Sequence, residues 1–179
     1  MAAIQDSLYE QLRPLPNARE RLMMTTEFPQ ALYSEIMSNN PSRNVGRAFP
    51  VDSVSWTDAA ECCSRLGWLT GRTVRLPTRD EFRVAVGEAT TGDAVTAESG
   101  GTRSRAIGSG RANAAGFQNL LGNLAEWLDA PPVNDGSSPA PVGGGSYLDT
   151  PALVRSVPVV EVPRAERSRH VGFRVVLVD

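Results

Sequence analysis

The chain has 179 residues, of which 41% are apolar, and 18 basic against 20 acidic residues leave a net charge of −2. A domain of this length buries about 70% of its extended surface, enough for a core without disulfide staples. No basic stripe of the kind a nucleic-acid binder carries is visible, and no run approaches the roughly 20 apolar residues of a membrane span. No apolar stretch follows a basic start, so no signal peptide is read and a cytoplasmic setting is expected. The 16 glycines and 13 prolines point to a chain rich in turns.

Residues 1–22 read as a polar N-terminal extension, with the domain proper over 23–179. Within the extension, Ile4, Leu8 and Leu12 recur at helical spacing and mark a candidate docking helix, in cis or in trans. A helix is expected over 28–37, where Phe28, Leu32 and Ile36 share one face and Pro29 fits the opening turn. The segment from Ser38 to Pro50 is turn chemistry. A second helix over 56–67 carries Trp56, Ala59, Ala60, Cys63 and Leu66 on one stripe, with Ser55 able to cap it. The only cysteines, Cys62 and Cys63, are adjacent, which suits neither a disulfide framework nor a C-x-x-C metal knuckle.

Residues 74–77 read as a short strand or an extended entry to the next helix. A third helix begins at Thr78, because Thr78 and Glu81 have capping-box spacing. Between Gly87 and Gly110 runs a long irregular excursion, expected to be the most mobile internal region. Apolar content returns at 119–128, residues 131–141 read as an exposed loop, and 172–178 read as a strand rich in β-branched residues. The basic run Arg164 to His170 reads as a solvated or ion-paired loop in preference to a phosphate-binding surface. The apolar run Leu153, Val154, Val157, Val159, Val160 and Val162 is either a core strand or an exposed contact surface.

Six ordered segments carry a resemblance: YSEIMSNNPS (33–42), PVDSVSWTDAAECCSRL (50–66), RLPTRDEF (75–82), GRANAAGFQNLLGNLAEW (110–127), GGSY (144–147) and GFRVV (172–176). Together they resemble the formylglycine-generating enzyme and sulfatase-modifying-factor family over about residues 24–178. The resemblance implies an α+β domain with a C-type-lectin-like topology and little regular secondary structure. It also implies that Trp56 and Trp127 are core anchors, and that Arg75 is held by buried carboxylates or backbone oxygens.

Function does not follow from fold. The copper-dependent members of this family use two cysteines between the glycine-rich and GFR motifs, but residues 146–171 contain none. The iron-dependent branch gathers several histidines, and this chain has only His170, read as a surface or loop residue. No copper or iron, and no catalytic residue, is therefore expected. The resemblance does imply a structural Ca²⁺ on Asn119, Gly122, Leu124 and Glu126, whose amide, carbonyl and carboxylate oxygens are hard ligands. The alternative is that Asn119 and Glu126 tie the loop by hydrogen bonds. A second calcium loop would begin at Asn113 and Ala114, but lacks an aspartate.

The reading that results is a non-catalytic protein-interaction or accessory subunit, with a protein partner or a second copy expected. The alternatives are a metal-dependent oxidase acting only with a partner chain, and a lectin-like ligand-binding protein.

Overall fold

The structure is a computed structural model. It describes residues 2–88, 92, 94–99, 102–131 and 138–178. Among these, short helices and two small sheets alternate with long irregular stretches, an α+β arrangement.

The N-terminal segment is built into the domain. Helix α1 (Ala2–Tyr9) buries Leu8 and is tied in cis by Gln5 Nε2, which donates to the Leu69 carbonyl at 2.6 Å. The expected helical spacing does not reach Leu12, because Leu12 already belongs to β1 (Leu12–Leu15). That strand pairs antiparallel with β2 (Ala18–Met24). Leu12 and Leu15 are buried, so residues 12–22 are part of a sheet although they read as a polar extension. Two buried positions in a four-residue strand are too few for a period to show.

Helix α2 (Gln30–Met37) buries Leu32, Tyr33 and Ile36, as the fourfold spacing predicts. Helix α3 (Trp56–Thr70) opens on a capping box in which Ser55 Oγ accepts from Asp58 N and the Asp58 carboxylate accepts from Ser55 N. It runs three residues beyond its expected end and stops at Gly71, which takes the left-handed conformation with φ 68°. Strand β3 (Thr73–Arg75) leads into α4 (Arg79–Val86), where the Thr78–Glu81 capping box forms as read from the sequence.

The second half supplies β4 (Ala125–Trp127), β5 (Ala140–Gly143), α5 (Pro151–Arg155), β6 (Val159–Val162), β7 (Val171–Gly172) and β8 (Val176–Val178). One sheet has the order β1-β2-β8-β3, all antiparallel, and the other β6-β5-β4-β7, with β4 and β7 parallel. The single strand expected over 172–178 is thus two strands in two sheets. The break at Phe173–Val175 lets the chain cross between sheets while Phe173 stacks on Phe28 at 4.8 Å.

Part of the expected loop at 131–141 lies outside the described residues, but Ala140 and Pro141 are buried within β5. The excursion after Gly87 also falls partly outside them; its described residues include buried Val95, which bridges Gly122. Of the two expected tryptophan anchors, Trp127 is fully buried and donates to the Val54 carbonyl. Trp56 is half-buried, donates to the Leu128 carbonyl, and has the Arg164 guanidinium over its ring at 4.1 Å.

Candidate functional site

Two features hold the chemistry, a buried charged node and an open face formed largely by residues 146–171.

The node is centred on Arg174 of the GFR motif, which is 0% exposed. Its Nε and Nη2 donate to the two Glu126 oxygens at 2.6 and 2.7 Å. Nη1 donates to the carbonyls of Met24 and Thr25, and Nη2 also to that of Gln118. All the donors of the fork are thereby aimed at oxygen, which is what a buried guanidinium requires. One cation here ties β2, the 118–126 loop and the crossover between the sheets.

A second buried carboxylate, Glu27, joins the node. Its oxygens accept from Asn123 Nδ2 at 2.7 Å and Asn119 Nδ2 at 3.2 Å. Burial, and then the nearby Glu126 charge, raise its pKa to about 7 against the partial relief of Arg174. Glu126 is also pushed up by burial, with Arg174 opposing.

The residues expected to hold calcium meet here. Asn119 is drawn to Glu27, and both Glu126 oxygens are committed to Arg174. Gly122 has φ 78°, and a Cβ there would lie 2.5 Å from the Val95 carbonyl oxygen, so its glycine serves close backbone approach. Leu124 is a buried side chain packed with Val95 and Tyr147. As arranged, both oxygens of the Glu126 carboxylate are engaged by the Arg174 guanidinium and the Asn119 amide nitrogen by Glu27, so hydrogen bonds tie this loop. At the second loop, Asn113 Oδ1 accepts from Ala115 N and Phe117 N, closing the turn itself.

Other expected polar contacts take their places. Arg75 makes a bidentate pair with Glu81, both bonds at 2.6 Å, and donates to the Leu76 carbonyl. Hydrogen bonds from Arg75, Thr78 N and Arg21 outweigh burial and hold Glu81 down at a pKa of about 2. Cys62 and Cys63 are both buried, and burial pushes both thiols up, so neither is a ready thiolate. Among the described residues, no three His, Cys, Asp or Glu side chains gather where a metal could be held.

The open face begins at the glycine run. Gly144 has φ 90°, and a Cβ there would lie 2.4 Å from the Leu120 carbonyl oxygen. The apolar run that follows is divided between core and surface. Val154 is buried in α5, whereas Leu153 and Val160 are 46% and 55% exposed, and β6 is an edge strand.

Beyond β6, the basic run also divides. Arg164 is buried under Trp56 and donates to the Ser138 and Pro131 carbonyls. Arg167 pairs with Asp58 of the α3 capping box. Arg169 and His170 lie inside a tight turn in which Val171 N donates to the Ser168 carbonyl at 3.0 Å. These residues meet Arg43, Ser53 and Leu148 around a pocket of about 540 Å³. A larger cleft, about 690 Å³, runs between α4 and residues 110–121, lined mostly by backbone, alanine and aliphatic side chains.

Sequence reasoning missed Glu27, Asn123, Arg43 and Asp52, none of which stands in a periodic pattern. Arg174 was legible in principle: an arginine flanked by Phe173 and Val175 in an apolar strand should be buried and paired.

Among solved structures, the chain is similar to Treponema denticola variable protein 1, with TM-score 0.79 and 19% identity over 89% of this chain and 84% of that one. It is also similar to PvdO from Pseudomonas aeruginosa, with TM-score 0.75 and 16% identity over 89% and 80%. For CarF the TM-score is 0.73 and the identity 20%, over 89% and 86%. These identities show a shared fold. No curated protein sequence matches the chain. Residues 25–178 match the sulfatase-modifying factor enzyme 1-like domain, and the chain belongs to that family.

Proposed function

We propose that the chain is a non-catalytic recognition or accessory subunit, in which this scaffold presents the 146–171 face to a ligand or protein partner. The observation that carries the reading is the makeup of that face. It contains no cysteine, it folds as a short helix, an edge strand and a tight turn, and it exposes arginines and aliphatic side chains. Thiol oxidation by oxygen needs a donor set that holds a redox metal, and thiolates are the usual ligands for Cu(I). The chain's two thiols lie elsewhere, buried on α3 and held protonated.

The scaffold itself is retained. Both capping boxes, the Trp127 anchor and the Arg174 node are complete. That combination suits a domain kept for its surface.

The test is oxygen uptake by the purified full chain after loading with Cu(I) or Fe(II), in the presence of a cysteine-containing peptide. No uptake above the metal-only control is expected. Peptide-dependent consumption that disappears on heat denaturation would refute the reading.

A further inference from the structure

The pocket on the 146–171 face has a construction that its sequence does not reveal. Two separate chain segments are clamped to the same short stretch, Asp52–Ser53. On one side, Asp52 N donates to Ser42 Oγ at 3.1 Å and Arg43 N donates to Asp52 Oδ1 at 2.9 Å. On the other, Ser53 N donates to the Ser168 carbonyl at 3.1 Å, which also closes the turn holding Arg169 and His170. The clamps bring Arg43 and Arg169 to one pocket on fixed backbones. Ser53, at the junction, has φ 59°, a conformation a non-glycine residue keeps only where its surroundings impose it.

The charges around the pocket differ in how they are engaged. Arg167 is paired with Asp58, and the Glu166 carboxylate accepts from Ser168 Oγ. Asp52 is buried below Ser53; its Oδ1 accepts from Arg43 N and Ser53 Oγ, and its Oδ2 has no partner. Among the described residues, the exposed side chains of Arg43 and Arg169 make no hydrogen bond or ion pair. Two arginines lining one concavity, neither side chain hydrogen-bonded or ion-paired, suit an oxyanion, since the planar guanidinium fork matches its oxygens two at a time. The overall charge of −2 gives no general attraction for anions, so binding would have to be local.

We propose that this pocket is an oxyanion-binding site, taking the phosphate or sulfate group of a small ligand between Arg43 and Arg169, with Leu148 at its edge. The inference deepens the reading of this face as a recognition surface and rests on it. The Asp52 charge beneath the pocket tempers the attraction, so selectivity for a group with several oxygens is expected over simple halides.

The experiment is calorimetric titration of the full chain with inorganic phosphate, pyrophosphate, sulfate and a hexose phosphate, against sodium chloride at matched ionic strength. Saturable binding of the polyatomic anions, absent with chloride, is expected. Arg43→Ala and Arg169→Ala should each weaken it by roughly tenfold, whereas Arg47→Ala, exposed outside the pocket, should leave it unchanged. Tighter binding of the hexose phosphate identifies an ester ligand, and equal binding identifies the free ion; both support the site. No saturation by any of the anions up to about 20 mM, or unchanged affinity in both pocket variants, overturns it. The arginines are exposed, so matched thermal midpoints check that the variants fold. Failure here with a silent oxygen assay removes the oxyanion site alone, whereas oxygen uptake removes the non-catalytic reading whatever the titration shows.

Discussion

Replacing Glu27 by Gln should change how stability depends on pH. Glu27 is fully buried, and its folded pKa of about 7 lies above the ordinary value of 4.5. Between those two values the native protein keeps a proton that the unfolded chain has released, so unfolding becomes easier as pH rises. The contribution is therefore lost as pH rises from 4.5 to 7 and is constant above 7. A shift of this size corresponds to about 3 kcal/mol, most of which falls between pH 5 and pH 8.

Urea unfolding at closely spaced pH values, for the natural chain and for Glu27→Gln, gives the two curves. The change of their difference with pH cancels titrating groups that do not interact with Glu27, and it also cancels the constant cost of fitting a glutamine amide opposite Asn119 and Asn123. The stability of the natural chain should fall relative to the variant by about 2–3 kcal/mol from pH 5 to pH 8. Parallel curves would show that Glu27 is not a protonated acid in the fold, and the electrostatic account of the node would fail.

Two further predictions concern the same node. Arg174→Met leaves Glu126 and Glu27 buried without a cation, a loss of about 3–5 kcal/mol; calorimetry should show a midpoint lower by roughly 6–20 °C, partly recovered by adding Glu126→Gln. Chelator should leave the thermal midpoint of the natural chain unchanged, because Arg174 already balances Glu126; a fall of more than about 5 °C, reversed by added calcium, would show a bound ion.

The similarity to other solved structures fits this division between frame and face. What the three neighbours share with the chain at 16–20% identity is the fold. In this chain the Trp127 anchor, the capping boxes and the Arg174 node hold the core together, whereas Arg43 and Arg169 stand on loops, where side chains can change without disturbing the core.

Local signals were legible wherever a short stretch of sequence contains its own cause. Helices α2, α3 and α4 follow from fourfold apolar spacing and from capping pairs three residues apart. The absence of cysteine from 146–171 is likewise complete in the sequence. That Arg75 is held by a buried carboxylate also came from motif alone, and the partner, Glu81, lies in the same segment.

Tertiary structure decided the rest, and in each case the partners are far apart in the chain. Strands β1 and β2 exist because β8, the last strand, supplies an edge for β2. The terminal strand divides at Arg174 because that side chain is anchored to Glu126 and to the β2 end. Glu126 takes its counter-charge from Arg174, a pairing that no local spacing encodes. Arg43 meets Arg169 only because both flanking segments bond to Asp52–Ser53. Capping and periodicity act over a few residues and are written in sequence order, whereas burial of charge and assembly of a pocket depend on which distant segments the fold brings together.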